Sequence, residues 1–180
     1  MTKRFHKPFE QDVHDVTDPA GREIVKRWLK ALGFGVIDNP DQYGIDLIIA
    51  NPETGVEVAY AEVEVRVAWK TKRFPVDKWG QYIHMPTRKE KFIGLDKPMM
   101  FCSINRDLTG MLWCRDEFIF SSRIGRNMRQ KKNPHEKYYK LDVEKMNWVD
   151  FEAMEVSLPV NEYHAYQVAL GKLEKEKGWV

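Results

Sequence analysis

Three carboxylates pose the first chemical question. Asp46 interrupts an apolar run, Ile45-Asp46-Leu47-Ile48-Ile49-Ala50, and Glu62 and Glu64 stand two positions apart within Val56 to Val67. Side chains alternate between the faces of a strand, so Glu62, Glu64 and Arg66 project together while Ala59, Ala61, Val63, Val65 and Val67 form an apolar face. Asn51-Pro52-Glu53-Thr54-Gly55 between the two runs has turn chemistry and predicts a hairpin. If Ala50 pairs with Val56, Asp46 faces Tyr60 and lies diagonal to Glu62, roughly 7–8 Å apart at the backbone. Acids so placed repel and raise one another's pKa unless a cation neutralises them. Hard divalent ions such as Mg2+ prefer carboxylate oxygens and water, so the spacing predicts an oxygen-ligand metal site. A metal held this way suits phosphodiester hydrolysis, which needs an activated water and a stabilised developing charge. Each acid also has a plainer reading: a turn carboxylate for Asp46, and an exposed face paired with lysines for Glu62 and Glu64.

The sequence around these acids is basic. From Arg66 to Lys97 there are nine Lys or Arg (66, 70, 72, 73, 78, 88, 89, 91, 97) against three acids (77, 90, 96). From Ser121 to Lys140 there are seven (123, 126, 129, 131, 132, 137, 140) against Glu136 alone. Two segments of about +6 are therefore concealed within a formal net charge of +2. Cations that displace counterions from phosphates gain affinity whatever the base sequence. Arg66, Lys70, Lys72, Arg73, Lys78, Arg88, Lys89, Arg126, Arg129, Lys131 and Lys132 are accordingly expected to contact DNA. Trp69, Phe74, Trp79 and Tyr82 interleave with the first group, a mixture that suits base stacking, although aromatic residues beside a core also serve as packing. His14, His84, His135 and His164 are widely spaced and show no metal-like pattern.

The elements that position these groups follow from patterning. With 180 residues, 43% of them hydrophobic, the chain can bury one core of ordinary size and reads as a single domain, 1–180. Residues 1–17 read as an irregular arm, 18–116 as the core, 117–140 as an exposed basic segment, and 141–180 as a C-terminal strand and helix. Asp18-Pro19 predicts a helix start, with Ala20, Ile24, Val25, Trp28, Leu29 and Leu32 as its apolar stripe and Gly33 as its end. Strands are expected at 34–37, 45–50, 56–67, 98–104 and 111–114, with 137–141 as a last edge strand. Residues 70–91, marked by Pro75 and Pro86, read as a loop with at most a short helix near 77–83. A terminal helix from Asn161 carries Tyr163, Tyr166, Leu170 and Leu173. No apolar run approaches the roughly 20 residues of a spanning helix, and the N-terminus lacks the apolar core of a signal peptide, so a cytoplasmic protein without membrane association is expected. A reducing compartment favours Cys102 and Cys114 as two buried thiols rather than a disulfide.

The order Glu23 on a first helix, Gly44-Ile45-Asp46, a hairpin, then Glu62-Val63-Glu64 resembles the PD-(D/E)xK nuclease superfamily, which includes restriction endonucleases and Holliday-junction resolvases. Arg22, Gly33-Phe34 and Tyr43-Gly44-Ile45-Asp46 look most like the resolvase-type arrangement, and the resemblance covers roughly residues 18–104. It implies an α/β restriction-endonuclease-like core, a central mixed β-sheet flanked by helices, here with an extra C-terminal helix. It further implies Mg2+ (or Mn2+) held by Asp46, Glu62 and the Val63 carbonyl, with Glu23 as the helix carboxylate. The alternative for Glu23 is an i,i+4 ion pair with Arg27. Glu64 stands where that family usually carries lysine. Glu64 then serves as general base or second-metal ligand, as in ExE variants, or a lysine such as Lys70 or Lys72 reaches in, or the site binds without cutting. The implied activity is endonucleolytic cleavage of DNA, with a nucleic-acid-binding protein on the same fold that does not cut, or an interaction module whose acidic face meets a protein partner, as alternatives; a homodimer is expected by analogy, since cutting both strands usually takes two sites.

Overall fold

The structure is a computed structural model that describes residues 10–126 and 137–180. Helix α1 (Gln11–Ala31) buries Thr17, Gly21, Ile24, Val25, Trp28 and Leu29, a stripe at helical spacing. It ends as Gly33 predicts: this residue has φ +94°, and the Gly33 and Phe34 N–H groups donate back to the Lys30 and Leu29 carbonyls, satisfying the last turn. The beginning differs from expectation. Residues 11–17 are helical, so the irregular arm does not reach residue 17 and Pro19 lies inside the helix rather than in its first turn. An interior proline removes one helical hydrogen bond, at a cost of about 3 kcal/mol. Tertiary contacts offset this. Val16 and Thr17 extend the buried stripe, and Lys177 from the far end of the chain bonds Asp12 at 2.9 Å.

Nine strands occur among the described residues: β1 (Gly35–Asp38), β2 (Leu47–Ala50), β3 (Glu57–Arg66), β4 (Tyr82–Pro86), β5 (Met99–Asn105), β6 (Gly110–Arg115), β7 (Ile124–Arg126), β8 (Lys137–Asp142) and β9 (Asn147–Asp150). Six of them form a central mixed sheet in the order β1-β2-β3-β5-β6-β9. Its only parallel pair is β3 with β5. The other three form a small antiparallel sheet, β4-β8-β7.

Two expectations change here. Residues 70–91 contain the short helix α2 (Val76–Trp79) and the strand β4, and residues 137–141 form the central strand of the small sheet rather than an edge. Ile83, Met85, Tyr139 and Leu141 alternate inward in the two strands. That pattern is too short to separate from a loop until the two strands are seen paired across more than fifty residues of sequence. Strand β9, four residues with Trp148 and Val149, is likewise too short to be told from a loop by its pattern alone.

The central sheet separates two apolar cores. On one face α1 and the C-terminal helix α4 (Val160–Glu176) pack on Ala61, Val63, Cys102, Ile104 and Met111. The predicted apolar row of β3 lies here, with Ala59, Val65 and Val67 at its margin. On the other face the small sheet and the short helix α3 (Asp116–Ser121) enclose Ile45, Trp69, Phe101, Leu112, Cys114 and Ile119. The fold is thus α/β, a mixed central sheet flanked by helices. Both cysteines are buried free thiols, and no helix among the described residues is long and apolar enough to cross a membrane.

Candidate active site

The β2–β3 hairpin closes on Asn51 and Val56, one residue further round than expected. Asn51 causes this: its side-chain oxygen accepts from the Glu53 and Thr54 N–H groups at 2.9 and 3.1 Å, building the turn around its own side chain. A bulge between Ile49 and Ala50 then shifts the register again, giving Leu47 opposite Ala61. Two slips of one residue preserve parity. Continued by one pair, the register sets Asp46 opposite Glu62, on the same face and nearer than the diagonal placement expected.

Asp46 lies just before β2, at the end of a tight loop. Asn39 and Asp41 side chains accept from the Asp41 and Tyr43 N–H groups, and a Cβ on Gly44 would meet the Asn39 amide at 2.7 Å, so a larger residue there would displace the Asn39 side chain. Asp46 accepts the Val63 N–H at 2.7 Å. A strand residue's N–H and carbonyl share one edge, so the Val63 carbonyl also turns toward Asp46. Beside this point, between α1 and residues 39–46, opens a cleft of about 570 Å³ lined by Asp15, Asp18, Arg22, Asp41 and Asp46 among others.

Glu62 is 5% exposed. One of its oxygens accepts from the Lys89 ammonium, which reaches in from a 3-10 turn (Thr87–Phe92) directly after β4. The other oxygen is buried without a hydrogen-bond partner. Burial first, and the neighbouring charge of Asp46 second, push the Glu62 carboxyl up to about 7, against the pull of Lys89 and Lys91. Burial likewise raises Asp46, and the Asp18 charge adds to it; the Val63 N–H, Lys89 and Arg22 oppose.

The remaining expected residues divide sharply. Glu64 turns toward Arg66, 3.5 Å away, and stands apart from the Asp46–Glu62 pair. Among the described residues no three His, Cys, Asp or Glu side chains are grouped to hold an ion. The acids therefore form a pair with Glu64 beside it. Glu23 bonds Arg27 at 2.9 Å and Lys26 at 3.2 Å, whereas the α1 carboxylate whose charge reaches Asp46 is Asp18. Of the expected DNA contacts, Arg66 donates to Ser103 and to the His84 carbonyl. Lys70 pairs with Glu174, Lys72 with Asp150 and Glu152, and Arg73 lies over the Trp148 ring. Lys78 and Arg88 are exposed. Arg126 ends β7, and Arg129, Lys131 and Lys132 lie outside the described residues. Trp69 is fully buried, with Phe74 and Trp79 packed on its core, which leaves Tyr82 as the exposed member of that aromatic series.

No family model, curated protein or solved structure matches this chain. The Asp46–Glu62 pair and its surroundings are the chemically distinctive feature of the chain. Lys89 is the member whose place beside Glu62 the sequence alone does not reveal. It stood in the basic run with no feature to distinguish it from Arg88 or Lys91, because its position depends on β4 pairing with β8.

Proposed function

We propose that this chain is a Mg2+- or Mn2+-dependent endonuclease acting on DNA, built on a restriction-endonuclease-like core of the PD-(D/E)xK kind. The observation that carries the reading is Glu62: a buried carboxylate facing Asp46, with one oxygen on a lysine and the other lacking any partner. A buried acid so placed is costly unless a ligand satisfies it. The donor set fits a hard divalent ion, with Asp46, Glu62 and the Val63 carbonyl as its protein ligands and water completing the shell. Such an ion supplies Lewis-acid charge at a phosphate and lowers the pKa of bound water.

The chain's own groups then have distinct tasks. Lys89 takes the place of the lysine absent at position 64, neutralising Glu62 and offsetting charge that develops on the phosphate. Glu64, less buried and outside the ligand pair, accepts the proton of the attacking water. Asp18 faces the Asp46 side of the cleft and orients water there.

The test is nicking of supercoiled plasmid and cleavage of single-stranded and branched DNA with Mg2+ or Mn2+. Asp46→Ala and Glu62→Ala should abolish cutting. Asp18→Asn should slow it by about tenfold while Glu23→Gln leaves it within twofold, order-of-magnitude expectations for an orienting and a remote carboxylate. Cleavage that persists in chelator, or survives both alanine variants, would refute the proposal. A second reading has its own support: Lys89 already occupies Glu62, as a cation would in a site that binds nucleic acid without cutting. Binding without cleavage under either metal selects it.

A further inference from the structure

The small sheet turns one side toward the core and the other outward. Ile83, Met85, Tyr139 and Leu141 face the core. The alternate residues Tyr82, His84, Tyr138, Lys140 and Asp142 share the other face. Tyr82 is 44% exposed and His84 is exposed as well. Tyr138 is buried, with its ring 5.8 Å from that of His84 and tilted 37° to it, a neighbouring ring on the same face. Lys140 holds its ammonium 5.9 Å from the Tyr82 ring centroid. Its stem runs against Gly125 of β7, where any Cβ would collide with it. Arg123, exposed, accepts the Lys140 N–H at 2.8 Å through its carbonyl and so flanks the same face. Of the described acids, Asp142 stands opposite Tyr82 at the end of this face, where it accepts from Gln81 and from the Glu144 N–H, and Glu64 pairs with Arg66.

We infer that this outer face is a stacking platform for single-stranded nucleic acid, with Tyr82 and His84 receiving bases and Lys140 and Arg123 meeting phosphates. Two features select that occupant. Aromatic rings beside cations suit bases and phosphates together, whereas a protein partner would find no apolar anchor among them. Tyr82 and His84 are two strand residues apart, roughly 6.8 Å at about 3.4 Å per residue. Stacked bases of a duplex are separated by about half that distance, so only an unstacked strand places successive bases on both rings. The location is also apt. Arg66 ties the β4 backbone at His84 to Glu64, and β4 runs directly into the turn that carries Lys89. The inference rests on the nuclease reading only in expecting a nucleic acid, and its test does not depend on cutting.

The test measures fluorescence anisotropy of labelled dT15, U15 and a 15-base-pair duplex on the full chain carrying Glu62→Gln. Single strands should bind more tightly than the duplex. Tyr82→Ala with His84→Ala should weaken single-strand binding by about tenfold or more, at the low end of ring-by-ring stacking losses. Tyr82→Phe with His84→Phe should retain it. Whether dT15 or U15 binds better decides between DNA and RNA. Equal or tighter duplex binding, or unchanged affinity in the alanine variant with an unaltered melting temperature, overturns the platform. Metal-dependent plasmid cleavage by the chain with Tyr82, His84 and Glu62 intact tests the nuclease proposal on its own, so failure of that proposal is distinguishable from failure of the platform, which binding alone decides.

Discussion

Strand β3 has a core element on each side at its buried centre, Ala61 to Val63, and the two sides are filled differently. Toward α1, Ala61, Val63 and Val65 meet Gly21 and Ile24 in an apolar contact so close that a Cβ on Gly21 would come within 2.6 Å of Val65. Toward the small sheet, the same strand presents Glu62, Glu64 and Arg66, held by Lys89, Ser103 and the His84 carbonyl. The first side is stabilised by this apolar contact, which contains no titratable group and so does not respond to pH. The second retains a carboxylate whose ionisation the fold resists and which a proton or a cation relieves. Stability on one side and chemistry on the other can thus be altered separately.

The largest expected separation comes from Glu62→Gln. The carboxyl of Glu62 rises from its ordinary 4.5 to about 7 on folding, so the folded state holds a proton that the unfolded chain has lost. Stability is therefore fully present below pH 4.5 and declines as pH rises through 7, by about 3 kcal/mol in all. Urea melts of the natural chain from pH 5 to 8 should show that decline, and the glutamine variant should not. Parallel pH profiles would contradict the burial assigned to Glu62. Millimolar Mg2+ should flatten the natural profile if the ion binds there.

On the opposite side, Gly21→Val should cost about 1–3 kcal/mol by overpacking against Val65. That loss should be the same at pH 5 and pH 8, and a pH-dependent loss would mean that the two sides are coupled through β3. The smallest effect belongs to Lys89→Met. Without the ammonium Glu62 takes up a proton, which caps the penalty at about 1.4 kcal/mol at pH 8 and removes it near pH 6. A larger loss at pH 6 would show that Lys89 matters through packing rather than charge.

What sequence patterning made legible was whatever a single segment determines. The stripe of α1, its stop at Gly33, the parity of β3 and the hairpin before it all follow from nearest neighbours. Even the misjudged register left Asp46 on the side of Glu62, because the turn and the bulge each moved it by one. Long-range pairing was not legible. The small sheet needs β4 and β8 to meet across the chain, and without it Lys89 is one cation in a basic run and Tyr82 one ring in a loop. The N-terminal turns of α1 were hidden similarly, since their support comes from Lys177 and α4.

The two thiols give the molecule a built-in record of how its halves part. Cys102 lies in the core under the helices and Cys114 in the core under the small sheet. Burial raises both thiols, Cys114 to about 12, so neither forms the reactive thiolate while its core is closed. A thiol reagent applied under native conditions therefore reads local opening, one cysteine for each core. Equal labelling rates would describe a single cooperative unit. Faster labelling of Cys114 would describe a small sheet that lifts away from the acidic pair while the helical side stays shut.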